Sequence, residues 1–287
     1  MNLQWYPGHM AKAKRMIAEQ LNLIDVVIEL LDARLPVSSE NPDVDSLIAG
    51  KPKLVVLNKA DLADETVNKK WMAFYQKQGT TALLLDSIHK KNGKLVVDRL
   101  REILKDKIEK QKEKGMVNRS IKVLVLGIPN VGKSSFINML SGRAGTITGD
   151  RPGVTKGKQW IRLNNGIELL DTPGILWPKF DNEKTGLRLA FAGSIKDEIM
   201  DVEELAVKLL EFLNTAYPVL LKARYKLEET DSLSGFELLE LIGRKRGFIV
   251  SGGEIDTFRA ANIVLDEFRS AKIGRISLES PDTVING

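Results

Sequence analysis

Short apolar runs alternate along this chain with longer stretches in which apolar residues recur every three or four positions. The runs are Asp25–Leu31, Lys53–Leu57, Leu83–Leu85 and Ile121–Leu126. They are rich in Val, Ile and Leu, as strands buried on both faces are. Between them, residues 43–49 and 65–78 carry the helical period, and Pro36, Ser38, Ser39, Asn41 and Pro42 mark a loop. Strands alternating with helices predict βαβ units and a mainly parallel sheet. Trp160–Leu163 and Ile167–Leu170 flank Asn164-Asn165-Gly166, which predicts a hairpin. Residues 95–118 read as a charged, solvated connecting helix, and 142–157, rich in Gly and Thr, as a mobile loop.

After Pro178 the pattern changes. Helical periodicities recur at about 186–193, 201–214, 217–225, 234–243 and 254–270, without a convincing strand. The expected organisation is an α/β domain over 1–178 followed by a helical domain over 179–287. The first opens on a short basic helix with Met10, Ala13, Ile17 and Leu21 along one face.

The motifs at the strand ends specify the chemistry. Gly127-Ile-Pro-Asn-Val-Gly132-Lys133-Ser134 follows one strand and leads into Ser135-Phe-Ile, the start of a helix. That is the spacing of a nucleotide phosphate loop. Its glycines turn tightly and present N–H groups to phosphate oxygens, and the helix N-terminus adds positive potential. Lys133 reaches the β- and γ-phosphates, and the Ser134 hydroxyl is a ligand for Mg²⁺. Asn58-Lys59-Ala60-Asp61 ends another strand. A carboxylate at Asp61 accepts from the N1–H and 2-amino group of guanine, whereas adenine would leave it unpaired, so GTP is favoured over ATP.

Asp171-Thr172-Pro173-Gly174 ends a third strand. Asp171 can hold a water on Mg²⁺, and the Gly174 N–H can sense a γ-phosphate. Between these motifs Thr155 is the preferred switch threonine for the Mg²⁺ shell, with Thr146 and Thr148 as competitors. The base loop is completed by Asp86 and Ser87. The nucleotide-contacting set is therefore Asn58, Lys59, Ala60, Asp61, Asp86, Ser87, Asn130, Val131, Gly132, Lys133, Ser134, Ser135 and Gly174, with Ser134, Thr155 and Asp171 around Mg²⁺. Asn130 can also ligate K⁺ beside the phosphates, or serve only as a turn residue. Where many such switches place a water-orienting glutamine, this chain has Ile175, so hydrolytic help must come from elsewhere. His9, one of two histidines, is a candidate, against the alternative of a surface or packing histidine.

These motifs mark a GTPase domain in an altered order, since base recognition precedes the phosphate loop. The chain reads as a circularly permuted P-loop GTPase with a doubly wound sheet, followed by an all-helical domain. Permutation is physically permissible because every motif sits at the carboxyl edge of one sheet. It also makes the Asp171–Gly174 loop the end of the GTPase domain, leading directly into the helical domain.

Composition adds bounds. Hydrophobic residues make up 43% and charged residues 28% of 287, as in globular proteins. The absence of cysteine excludes disulfides and thiolate metal sites. No membrane span or signal-peptide layout is evident, so a cytoplasmic monomer is expected. The net charge of +5 leans toward a polyanionic partner. Arg244, Lys245, Arg246, Arg259, Arg269, Lys272 and Arg275, near Gly247 and Ser251-Gly252-Gly253, suit phosphate-backbone contact or a solvated helix face. A small-molecule kinase and a protein-binding GTP switch are the competing classes.

The same motifs carry a resemblance. Trp5-Tyr-Pro-Gly-His-Met, Asp32-Ala-Arg, Asn58-Lys-Ala-Asp, Gly127–Ser134, Gly149-Asp-Arg-Pro-Gly-Val-Thr and Asp171-Thr-Pro-Gly-Ile-Leu-Trp-Pro-Lys resemble the YlqF/YawG family of circularly permuted GTPases over essentially the whole chain. The resemblance implies late assembly of the 50S ribosomal subunit, with GTP hydrolysis stimulated by that particle. It also implies a helical domain contacting ribosomal RNA, hydrolysis aided by His9, and K⁺ on Asn130; with Lys133 and Thr155 from the motifs, His9 completes the expected catalytic set. His89-Lys-Lys-Asn-Gly93 departs from the family by lengthening the loop after Ser87.

Overall fold

A computed structural model describes residues 15, 17–89, 92–115, 119–142, 159–163, 166–171, 183–195 and 201–285. The chain divides into two compact units, Met1–Asn182 with Ser277–Gly287, and Glu183–Ile276.

The first unit is built on one six-stranded sheet. Its strands are β1 (Val26–Asp32), β2 (Lys53–Asn58), β3 (Ala82–Leu84), β4 (Ile121–Leu126), β5 (Gln159–Arg162) and β6 (Ile167–Asp171), in the order β3-β2-β1-β4-β6-β5. All pairings are parallel except β5 with β6. β1 and β4 lie in the middle, which is why they are near-continuous apolar runs. The register sets Asp32 beside Asn58 and Glu29 beside both Val55 and Leu126. The carboxyl ends of β1, β2 and β4 therefore share one edge, and β4 opens the phosphate loop there. The segment expected to read the base follows β2, which β1 separates from β4 in the sheet, and lies about seventy residues earlier in sequence than the phosphate loop. This is the permuted doubly wound sheet.

Among the described residues, two apolar clusters secure the sheet. Ile17, Ile24, Val27, Val44, Ile48, Leu124, Leu126 and Leu170 form one. Leu31, Val55, Leu57, Trp71 and Tyr75 belong to the other. Between them on β1 sits Glu29, 1% exposed, whose carboxylate meets Lys53 Nζ at 3.0 Å. Burial pushes its pKa up to about 7, with the Lys53 charge opposing and those of Glu40 and Asp45 adding.

Three helical assignments differ from expectation. The loop after β1 contains a one-turn helix, α1 (Pro36–Ser39), before α2 (Val44–Ile48). Its first turn is capped by Glu279, some 240 residues away, and the one local signal is Pro36 at its first position. The charged helix is two, α4 (Gly93–Ile103) and α5 (Lys105–Glu113), divided at Leu104; α3 is Glu65–Lys77. Only α5 lacks a buried residue, whereas α4 buries Val96, Val97 and Leu100. Finally, Ser277–Gly287, expected in the helical domain, groups with the first unit. Leu278 and Glu279 are 5% and 2% exposed, and the Leu278 N–H donates to the Arg34 carbonyl at 2.7 Å. This segment includes α12 (Pro281–Ile285).

Before α12 the second unit packs α7 (Glu183–Phe191), α8 (Val202–Ala216), α9 (Pro218–Tyr225), α10 (Gly235–Lys245) and α11 (Thr257–Arg269). Helix α6 (Lys133–Ser141) belongs to the first unit. Asp201 and Ser234 cap α8 and α10, the latter in a capping box with Glu237. Between α10 and α11 a tight turn carries one bridge, Ile249 with Ile255. Two arginines of the expected basic cluster are structural. Arg246 donates to Glu267 at 3.1 Å, beside Arg224, and Arg269 donates to the carbonyls of Ala190 and Phe191 at 2.8 and 3.0 Å. Arg244, Lys245, Arg259, Lys272 and Arg275 are exposed. Among the described residues no helix is long and apolar enough to cross a membrane.

Candidate functional site

The phosphate loop runs from the end of β4 into α6. Gly132 is the N-cap of α6, at φ 100°. A Cβ on Gly132 would lie 2.4 Å from Asn58 Nδ2, and one on Gly127 would lie 2.7 Å from the Leu30 carbonyl oxygen. Both glycines are thus required by close approach. Asn130 also adopts the left-handed region, at φ 56°, as its residue type tolerates. Lys133 Nζ donates to the carbonyls of Gly127 and Ile128, each at 3.0 Å. Ser134 is exposed at the first turn of α6.

The base loop and phosphate loop are joined through Asn58, which is 2% exposed. Its Nδ2 donates to the Val131 carbonyl at 2.8 Å. Its Oδ1 accepts from the Ser87 hydroxyl at 2.7 Å and from the Ser87 N–H at 3.3 Å. One side chain therefore ties together three loops from three strands. Lys59 makes the parallel connection, donating from Nζ to the Asn130 carbonyl at 2.7 Å and pairing with Asp32 at 3.0 Å. Burial lowers the Lys59 pKa from its usual value, with the Asp32 carboxylate opposing.

Asp32 and Arg34 form a fully buried bidentate pair, Nε to Oδ1 at 2.9 Å and Nη2 to Oδ2 at 2.8 Å. Burial alone would raise the Asp32 pKa, but the Arg34 and Lys59 charges hold it well below the usual carboxylate range. Sequence reasoning gave this pair no role beyond a family motif. The available signal was a carboxylate at the end of an apolar strand with an arginine two residues on.

Asp86 Oδ1 accepts from the N–H groups of Ile88 and His89 at 3.2 and 3.0 Å, and Oδ2 meets His89 Nδ1 at 2.6 Å. Burial acts to raise the Asp86 pKa, yet His89 brings it below its usual value. Ligating atoms of Asp61, Asp86 and His89 lie within 4.8 Å of one another. His89, in the lengthened loop, was not among the expected contacts. The Ala60 N–H is taken by the Leu85 carbonyl at 3.0 Å, and the Ala60 carbonyl accepts from Asn68 Nδ2 at 2.9 Å. Ala60 thus shapes the loop through its backbone.

The fold brings Asn58, Lys59, Asp61, Asp86, Ser87 and residues 127–135 to one edge of the sheet. Asp171 ends β6, beside β4 in the sheet. His9, Thr155 and Gly174, and the Asp171 side chain, lie outside the described residues.

Comparison with known proteins agrees with this geometry. Residues 122–227 match a family model described as 50S ribosome-binding GTPase. That match starts in β4, so Asn58–Asp61 lies upstream of it, as the permuted order requires. The chain is 46% identical to ribosome biogenesis GTPase A of Bacillus pumilus, over 99% of this chain and 100% of that one. It is 47% identical to the Bacillus cereus protein of the same name, over 98% and 95%. Among solved structures it is similar to GNP-bound YlqF from T. maritima, with a TM-score of 0.64 and 31% identity over 94% of this chain and 99% of that one.

Proposed function

The chain belongs to the ribosome biogenesis GTPase A family and is a GTP hydrolase, and from that premise we propose that it binds the large ribosomal subunit late in 50S assembly and hydrolyses GTP faster on that particle. The ribosomal part of this reading is supported by the description of the matched family and by the exposed basic residues of the helical unit; its nucleotide part is supported by the joining of base loop to phosphate loop by Asn58 and Lys59, which would make a guanine-specific triphosphate site from distant segments. Asp61 reads the N1–H and 2-amino group of guanine. Ser87 and Asp86 border the base. The loop N–H groups of Asn130–Ser135 and the Lys133 ammonium hold the phosphates, which would replace the Gly127 and Ile128 carbonyls as Lys133 acceptors.

The exposed Ser134 hydroxyl at the start of α6 is a hard oxygen donor suited to Mg²⁺. Thr155 would complete that set, with Asp171 acting through water. When bound, Mg²⁺ neutralises charge on the β- and γ-phosphate oxygens. Asn130 would hold K⁺. His9 orients or accepts a proton from the attacking water, a role that Ile175 cannot fill. Gly174 reads the γ-phosphate and passes its loss into the helical domain. There, Arg244, Lys245, Arg259, Lys272 and Arg275 would meet the phosphate backbone of ribosomal RNA. The protein would act in the cytoplasm as a monomer.

GTP turnover should rise steeply on adding purified 50S particles in K⁺ buffer, and less in Na⁺ buffer. The protein should co-sediment with 50S in a GTP-dependent, salt-sensitive manner. Turnover indifferent to 50S particles, with no co-sedimentation in any nucleotide, would overturn the proposal.

A further inference from the structure

We propose that Ser277–Glu279 is a positioning strap of the nucleotide site, set against the loop after β1 and the start of α3, and that it controls how tightly guanine nucleotide is held. The proposal rests on the reading of Asn58–Asp61 and Gly127–Ser134 as that site.

The loop after β1 is almost wholly buried, with Ala33, Arg34, Leu35, Ser38 and Ser39 each at most 1% exposed. Its polar backbone must therefore find partners inside the protein. The strap supplies them. The Arg34 carbonyl accepts from the N–H groups of Leu278 and Glu279 at 2.7 and 3.3 Å. The Glu279 carboxylate, 2% exposed, accepts from Val37 N–H at 2.8 Å, from Ser38 N–H at 3.1 Å, and from the Ser38 hydroxyl. Those amides begin a four-residue helix and have no intrahelical acceptor. A carboxylate this buried is tolerated only when donors converge on it. On the other side, the Ser277 hydroxyl oxygen accepts from the N–H of Asp64, the α3 N-cap, and Trp71 Nε1 donates to the Glu279 carbonyl at 3.3 Å.

These contacts continue to the nucleotide loops. Ser39 Oγ accepts from the Asp32 N–H at 3.0 Å. Arg34, whose carbonyl the strap holds, grips Asp32 with its guanidinium. Asp32 in turn holds Lys59, and Lys59 braces the Asn130 carbonyl of the phosphate loop. Asp64 lies three residues beyond Asp61. The strap thus buttresses the base loop through α3 and the phosphate loop through Asp32 and Lys59. It also begins immediately after Ile276, the last residue of the helical unit. A particle that grips that unit has a covalent line to the strap, and detaching it would loosen the nucleotide.

The test uses the full-length chain. Release of a fluorescent GDP analogue is followed by stopped flow in the wild type, Glu279→Ala, Glu279→Gln and Lys70→Ala, alongside amide exchange by mass spectrometry. Glu279→Ala should lose protection over residues 34–39 and release GDP at least tenfold faster. Its KM for GTP should rise more than kcat changes. Glu279→Gln, which keeps an acceptor oxygen, should fall between it and the wild type. Lys70→Ala removes only the exposed pair with Asp282 and should match the wild type. Lost protection over 34–39 with GDP release within twofold of the wild type would overturn the proposal. So would retained protection in Glu279→Ala. If Glu279→Ala does not fold, Glu279→Gln is read by the same two criteria. A wild-type chain that binds no GDP would instead refute the nucleotide site itself.

Discussion

Replacing Asn58 by alanine tests the core of the nucleotide site. The substitution removes three hydrogen bonds at once, to the Val131 carbonyl, the Ser87 hydroxyl and the Ser87 N–H. Val131 and Ser87 are 0% and 5% exposed, so water cannot readily replace the lost partner. A buried group left unpaired costs about 1–3 kcal/mol, and the weak 3.3 Å contact should contribute least. The expected loss of stability is therefore about 2–4 kcal/mol, readable by urea unfolding. Both loops also lose their mutual anchor. GDP affinity should fall by about a hundredfold, equivalent to ~2.7 kcal/mol, measured by titration calorimetry under conditions where the variant is folded. Asn58→Asp sharpens the test because it is nearly isosteric. It keeps an acceptor for Ser87 but opposes a carboxylate to the Val131 carbonyl, so it should bind GDP no better than the alanine variant. A double-mutant cycle with Ser87→Ala should give a coupling of about 1 kcal/mol. If Asn58→Ala loses the expected stability but binds GDP within fivefold of the wild type, Asn58 is scaffold only, and the link between loops does not serve the nucleotide.

Gly132→Ala should nearly abolish GDP binding and destabilise the unit by about 1–3 kcal/mol, because φ 100° strains any L side chain and its Cβ would strike Asn58 Nδ2; calorimetry and thermal melts read both effects. For Glu29 the folded pKa, about 7, exceeds the usual 4.5, so its favourable contribution is full below about 4.5 and is lost as pH rises through about 7. Glu29→Gln should therefore match the wild type in stability near pH 4 and exceed it by about 2–3 kcal/mol at pH 8, as measured by denaturant unfolding across pH. Arg244→Ala with Lys245→Ala should weaken binding to ribosomal RNA and shallow its salt dependence by about two charges, in filter binding at several salt concentrations. Arg246→Ala should lower the stability of the helical unit instead, since its guanidinium is committed to Glu267.

The sheet was readable from sequence because its two central strands are buried on both faces, and composition alone reports that state. The candidate site was legible as a set of motifs because phosphate and guanine recognition would demand particular residue types at fixed spacing, and the fold brings the described members of that set to one sheet edge. What was not readable depended on contacts across long chain separations. Pro36 alone hints locally at α1, since the donors of Val37 and Ser38 are satisfied by the distant Glu279. The charged helix before β4 looked uniform, yet α4 buries three apolar residues and α5 none. In the helical unit, seven basic residues looked equivalent. Only tertiary structure distinguishes Arg246 and Arg269, bound to Glu267 and to helix-end carbonyls, within that set.

Chain continuity cannot set the distance between the base loop and the phosphate loop here, because about seventy residues and two strand positions separate them. Buried polar contacts perform that task instead: Asn58 spans to Val131, and Lys59 to Asn130 while pairing with Asp32. Such contacts are directional and costly to leave half-made, so they specify one arrangement where apolar packing would accept several. The cost of burying the Asp32 carboxylate is offset by Arg34 and Lys59, and the Arg34 backbone is held by the segment that follows the helical unit. The proposed strap thus ties the nucleotide loops of this domain to residues that follow the helical unit.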